Sequence, residues 1–379
     1  MKKFDLSIYK NPVPYFYLYD VYIKENNLVK ESFLIKIGVT PGSYRKCRKG
    51  ELNIGEKVIE QLSRYFDFRV PSDAMIDEIE KFLNKVYYNM YYKIYDSYDD
   101  DLKYINELIN SNYVCFPIID LINLYLKISS NKNVDLIYKE NVMLFEKIKK
   151  YETFLKYSLT DLYEIVLLSF EKDIPENYWI KNYNNASAYF ILSTRSYLKK
   201  RYIESLFFGN KCQQILFIDG NINRLIYLNY TLMSCLAHVG NYEECYELAS
   251  RQQLSLKSIG ITNDFRVNGC RNYIAISLIG KKEYETVYEE YNNRNDLTFI
   301  EEIAFIISLF IKCSKLKNFD EYEKHFKSLQ IENLKEVQSS VLILLDNYLK
   351  NRSKTSISSL EKYNSMEHYV KILKNIVFN

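Results

Sequence analysis

Thr40, Pro41, Gly42 and Ser43, followed by Arg45 and Lys46, form the segment of this chain whose side chains are best suited to contact double-stranded DNA. Small residues let the start of a helix approach base edges closely, and Arg or Lys reaches guanine edges and phosphates. Thr40 is a good N-cap, and Pro41 at the first helical position loses nothing, because that amide has no intrahelical partner anyway. The helix predicted from there to Gly50 places Tyr44 and Cys47 on an inner face and Ser43, Arg45, Lys46 and Lys49 on the outer one. Buried residues then hold the helix while exposed basic ones face a polyanion.

Other chemistries are not spelled out. No GxGxxG or GxxxxGK[ST] occurs, which argues against phosphate-loop enzymes. The seven cysteines are odd in number and none sits in a CxxC pair, so neither a disulfide framework nor a zinc knuckle is signalled, and a reducing compartment is expected. His238, His325 and His368 lie far apart without a ligand spacing. No metal, cofactor or catalytic group is therefore assigned, and the chain is not expected to be an enzyme. The 37 Tyr and 21 Phe could stack on single-stranded nucleic acid, yet they recur at helical spacings such as Tyr87, Tyr91 and Tyr95, which favours packing in cores and grooves.

The elements that would position the basic helix are legible on either side of it. Pro14 starts a helix from Tyr15 to Asn26 with Phe16, Tyr19, Val21, Tyr22 and Ile23 as its apolar positions. A short helix from Val29 to Ile37 stops at Gly38, where a left-handed residue turns the chain without a Cβ clash. A last helix, Ile54 to Phe66, buries Ile54, Val58, Ile59 and Leu62 and closes a bundle. Charge follows the same division. Net charge over the whole chain is +3, but residues 1–69 carry 13 Lys and Arg against 8 Asp and Glu, so the basic excess sits at the N-terminal end.

Leu28 to Phe66 resembles the helix-turn-helix of Xre/Cro-type repressors, the matching features being Lys30, Gly38-Val39-Thr40 and Gly50, with Lys30 standing where Gln is usual. The resemblance implies that Pro41, Gly42, Ser43 and Lys46 read bases, that Lys30, Lys49 and Asn53 touch phosphates, and that Arg45 serves either role.

Beyond it, Ser72 is expected to cap a long amphipathic connector helix with Ile76, Ile79, Phe82, Leu83, Val86, Tyr87 and Met90 on its apolar stripe. Then one phrase returns: Lys200-Arg-Tyr202, Gly240-Asn-Tyr242, Lys282-Glu-Tyr284 and Lys317-Asn-Phe319, each following one helix and beginning another. The aromatic positions are 40, 42 and 35 residues apart, near the period of tetratricopeptide units, although Met233 and Phe310 stand where that pattern expects a small residue. Stacked helix pairs of this kind form a superhelix whose concave face takes extended peptides. In that register Phe190, Thr194, Tyr197, Tyr227, Tyr230, Ser234 and Asn272 face the groove, with Asn229 and Arg271 nearby.

The expected fold is thus all-α: a helix-turn-helix domain over 1–68, a connector over 69–97, and a tetratricopeptide-like right-handed superhelix over 98–379 that senses peptide and dimerises. This architecture resembles the Rgg/PlcR-type receptors for peptide pheromones and, more loosely, phage arbitrium receptors. The resemblance implies a cytoplasmic homodimeric transcription regulator whose partners are an operator in double-stranded DNA and a short signalling peptide. The competing class is a protein-interaction scaffold or inhibitor with a vestigial helix-turn-helix. No membrane partner is expected, since the longest uncharged apolar run is Ile303 to Ile311.

Overall fold

The computed structural model describes residues 3–51, 56–66, 71–92, 94, 96–110, 116–130, 134–170, 185–262, 264–329, 331 and 334–351. All regular structure among these residues is helical, and none of the helices is long and apolar enough to cross a membrane. The chain divides into two compact units, one made of residues 1–192 and 211–224, the other of 193–210 and 225–379.

In the first unit a 3-10 turn, Ser7–Lys10, leads into α1 (Val13–Glu25), α2 (Lys30–Lys36), α3 (Pro41–Arg48) and α4 (Glu56–Tyr65). The helices expected over 15–26, 29–37, 41–49 and 54–66 are all present, within one or two residues at each end. Ile54 and Asn53 lie outside the described residues. Next come α5 (Asp73–Tyr92), α6 (Tyr98–Ile109), α7 (Phe116–Ser130), α8 (Val134–Lys150), the single turn α9 (Glu152–Leu155) and α10 (Thr160–Phe170). α7 is mostly apolar and is buried all round over residues 117–126, with Ile118, Leu121, Leu124 and Leu126 inaccessible where α5, α6, α8 and α10 surround it.

The helix expected as a connector is α5, and it is packed rather than free-standing. Its stripe of Ile76, Ile79, Leu83, Val86, Tyr87 and Met90 is buried as predicted, while Phe82 is half-buried against the Tyr104 ring. The N-terminal segment is pinned along it: Phe4 N donates to Asn84 Oδ1 at 2.8 Å, Asn84 Nδ2 donates to Phe4 O at 2.9 Å, and Leu6 N donates to Glu80 Oε2 at 2.7 Å. Helix α1 also has a second set of neighbours. Tyr15 packs on the Phe154 ring at 5.7 Å and Tyr22 on Tyr151 at 6.1 Å, while the Tyr9 hydroxyl in the preceding turn donates to Phe154 O at 2.9 Å. Periodicity shows that α1 is apolar, but not that its apolar surface serves partners about 140 residues away.

The second unit takes in most of α11 to α19. These are α11 (Ala186–Leu198), α12 (Tyr202–Ile218), α13 (Ile222–His238), α14 (Tyr242–Ser258), α15 (Phe265–Gly280), α16 (Tyr284–Tyr291), α17 (Phe299–Leu316), α18 (Asp320–Ser328) and α19 (Glu336–Asn351). The recurring phrase has one backbone solution. Lys200, Gly240, Lys282 and Lys317 are all left-handed, with φ of 59°, 80°, 63° and 54°. In each case the next amide closes on a carbonyl five residues earlier: Arg201 on Ser196, Asn241 on Leu236, Glu283 on Leu278 and Asn318 on Cys313. This is the Schellman stop, which satisfies the carbonyls left over at a helix end.

Three residues after each aromatic, Ser205, Cys245, Val287 and Tyr322 are fully buried. At the closest approach of the first pair, Ser193 and Ser205 exchange hydroxyl-to-carbonyl hydrogen bonds of 2.9 and 2.8 Å. The two large residues at the corresponding position are accommodated differently: Met233 is buried with its carbonyl accepting from Cys245 Sγ, and Phe310 packs edge-on against Tyr322 at 5.3 Å.

Candidate functional site

The turn between α2 and α3 is built from local chemistry. Gly38 sits at φ +79°, Val39 N closes on Leu34 O at 2.8 Å, and the Val39 side chain is buried. The Thr40 side chain then accepts from Ser43 N at 3.1 Å as the N-cap of α3. Tyr44 and Cys47 are buried as predicted, and the Tyr44 ring meets Phe16 edge-on at 5.0 Å.

A residue that periodicity had no means to flag ties the three helices together. The Asp20 carboxylate on α1 takes the Lys30 ammonium from α2, Arg48 Nη1 from α3 at 3.1 Å, and the Tyr44 hydroxyl at 2.9 Å. Lys30 also lies over the Tyr44 ring, and Arg48 over the Tyr17 ring, each at 4.7 Å. Burial and the neighbouring Asp20 charge both push the Tyr44 hydroxyl pKa up, so it stays a hydrogen-bond donor.

Of the residues expected at DNA, Thr40, Gly42, Arg45, Lys46 and Lys49 are exposed, and Pro41 and Ser43 are half-buried. A Cβ added at Gly42 would meet nothing within 4 Å. Lys49 lies 3.7 Å from Glu51, whereas Arg45 and Lys46 form no ion pair or side-chain hydrogen bond among the described residues. Lys30, expected at a phosphate, is the residue held by Asp20. Asn53 lies outside the described residues.

The residues expected to bind peptide are partly brought together. In the first unit, Phe190 packs against the Arg224 guanidinium at 5.5 Å. In the second, Ser234 donates to the Tyr197 hydroxyl at 3.2 Å, and the Tyr230 hydroxyl donates to Arg266 O. Tyr230 fits there because α15 carries Gly269, where a Cβ would come within 2.7 Å of the ring. Tyr227 is exposed and Thr194 half-buried, while Asn229 and Ser234 are buried. Asn272 Oδ1 accepts from the Thr298 hydroxyl at 2.7 Å, beside the capping box that Thr298 and Glu301 form at the start of α17.

Arg271 leads to a cavity in the second unit. About 320 Å³ in volume, it is lined among others by Lys257, Arg271, Glu290, Arg294, Asp296 and Glu301. Arg271 grips the buried Glu301 and also donates Nη2 to Asp296 O at 2.6 Å, while Arg294 holds the Asp296 carboxylate at 3.0 Å. The hydrogen bond from Arg294 holds the Asp296 carboxyl below its usual range. Burial raises that of Glu290, and the Glu301 and Glu283 charges push it the same way against Arg294. Glu290, Glu301 and Lys257 carry no repeat signal, which is why sequence reasoning reached only Arg271.

Among the described residues no cluster of His, Cys, Asp and Glu is arranged to hold a metal, and the six described cysteines are buried with no disulfide between them. No family model matches the chain, and neither a curated protein nor a solved structure matches it.

Proposed function

We propose that the chain is a DNA-binding transcription regulator whose α2–turn–α3 segment is an Xre-type helix-turn-helix and whose later helix pairs form a tetratricopeptide-like superhelix that senses a short signalling peptide. The observation that carries the reading is the outer face of α3. Arg45 and Lys46 stand exposed and, among the described residues, without partners beside the open Gly42, on a helix whose opposite face is fixed by Tyr44 and Cys47. Exposed cations on a rigid element are what phosphate and guanine contacts require. A single recognition helix covers few base pairs, so the working form is a homodimer on two half-sites about one helical turn apart, acting in the cytoplasm.

Peptide binding acts by favouring one spacing of the two recognition helices. The peptide must bind that arrangement better than the other, because a ligand with equal affinity for both shifts nothing. Selection of the full-length protein against random double-stranded DNA tests the output end. An enriched inverted repeat is expected, and retention at a level no higher than bulk DNA at physiological salt removes the reading.

The second reading is a protein-interaction scaffold with a vestigial helix-turn-helix. The observation on its side is Lys30, which is spent on Asp20 inside the bundle. DNA affinity unchanged when Arg45, Lys46 and Lys49 are all replaced by Ala would decide for it.

A further inference from the structure

The cavity of the second unit holds charges that fall into two groups. The first is closed. Arg271 binds both oxygens of Glu301, at 2.9 and 2.6 Å, and lies 3.4 Å from the Asp296 carboxylate. Arg294 binds both oxygens of Asp296 at 3.0 Å and reaches Glu301 at 3.5 Å. These two guanidiniums and two carboxylates neutralise one another, so neither arginine remains as a receptor for a ligand's anion.

The second group is open. Glu290, on the last turn of α16, lines the cavity and forms no hydrogen bond or ion pair among the described residues. Its side chain is exposed to solvent, and the partial desolvation it meets at the cavity raises its carboxyl pKa. Lys257, at the end of α14, also lines the cavity and has no partner among the described residues. With the closed group cancelled, the charge facing a ligand from α16 is one carboxylate, and Lys257 is the single free cation among the lining residues named. At about 320 Å³ the space is at the small end of ligand pockets, the size of one residue rather than of a whole peptide.

We propose that this cavity receives one cationic group of a peptide, a guanidinium or an ammonium, with Glu290 as its counter-ion. The ammonium has two sources, a lysine side chain or the peptide's amino terminus. Lys257 stands ready for a carbonyl or carboxylate of the same ligand. Arg271 is the rigid wall of the site and Glu290 its recognising group. The inference rests on the peptide-sensing reading for the nature of the ligand, while the charge preference stands on the cavity alone.

Saturation-transfer NMR on the full-length protein tests it with small probes. Acetyl-argininamide offers only a guanidinium, acetyl-lysinamide only a side-chain ammonium, glycinamide only an α-ammonium, and acetyl-glycinamide no charge. At least one charged probe is expected to exceed the neutral control. That signal is expected to vanish in E290Q and E290K, both with melting temperatures equal to wild type, and to persist in K257A. Short peptides selected on the same protein are expected to carry Lys or Arg or to need a free amino terminus, and E290Q is expected to weaken them about tenfold.

Charged probes no better than the neutral one, or a signal indifferent to E290Q, overturn the inference. Peptides selected without any basic or amino-terminal requirement, together with silent probes, leave peptide sensing in place and remove this site. Probe binding that depends on Glu290 without any selected peptide supports the cation site and removes peptide sensing.

Discussion

Arg271 and Glu301 are locked in a two-pronged pair, Nε to Oε1 at 2.9 Å and Nη2 to Oε2 at 2.6 Å, with Glu301 only 1% exposed. The same carboxylate also caps its own helix by accepting from Thr298 N at 2.7 Å. The pair therefore joins α15 to the start of α17 and sets the wall of the cavity.

Removing Arg271 leaves the buried Glu301 carboxylate with only Thr298 N and the longer contact to Arg294 at 3.5 Å. Arg271→Ala is expected to destabilise the protein by about 3 kcal/mol, the lower end of the range for breaking a buried ion pair, because those two partners stay in place. Arg271→Lys recovers only part of this, since an ammonium has no planar fork to offer two oxygens. Urea unfolding checks both; a midpoint for R271A equal to wild type would show that the pair contributes nothing.

The outer face of α3 predicts the opposite pattern. Arg45→Ala and Lys46→Ala remove exposed groups that have no partner among the described residues, so stability is expected to change by less than about 0.5 kcal/mol. Each is expected to lower DNA affinity and to reduce the slope of log K against log salt by about one if it contacts a phosphate. Lys30→Ala removes one of the three groups that Asp20 holds together, so its main effect is expected on the melting temperature of the bundle rather than on the salt slope. Fluorescence anisotropy across a salt series, paired with melting curves, separates the two classes of lysine.

Backbone conformation makes a third case. Lys282 and Lys317 occupy left-handed conformations at φ 63° and 54°, where the equivalent turn uses Gly240. Replacing either Lys by Gly removes a strain of about 1–2 kcal/mol, offset in part by the greater freedom of Gly in the unfolded chain. A gain of about 0.5–1 kcal/mol per site is the expected outcome of denaturant titration. Gly280→Ala is expected to cost about 1–3 kcal/mol, because its Cβ would lie 2.5–2.6 Å from three Tyr242 ring atoms.

Asp120, on the second turn of α7, gives the protein a pH dependence of its own. Burial raises its carboxyl to about 6, against which the nearby Lys147 at 3.3 Å pulls only partly. Because the folded-state value is raised, this residue costs nothing while it is protonated in both states. Its penalty appears as pH rises from about 4 to about 6, reaching on the order of 2–3 kcal/mol. Asp120→Asn is expected to be near neutral at pH 4 and stabilising at pH 7. The stability difference between the two proteins, followed by denaturation from pH 4 to 8, should rise over that window; a flat difference would mean that Asp120 titrates normally.

The amino-acid sequence by itself determined the features whose causes are local. Gly38, the Thr40 cap, Pro41 and the stop at Gly50 each act within one turn of backbone, so α2 and α3 could be delimited without knowing what they pack against. The four recurring turns were legible for the same reason, since a Schellman stop closes over six residues.

Tertiary structure alone decided which charges are spent and which are free. Lys30 and Lys46 are alike as letters, yet only Lys30 meets a carboxylate, on a helix ten residues earlier. Arg271 was legible as a groove residue, but its partner Glu301 comes from thirty residues on, and Glu290 acquires its position only when α14, α15 and α16 line one open cavity. The physical reason is that backbone turns are closed by neighbours along the chain, whereas desolvation and ion pairing depend on which side chains meet in space.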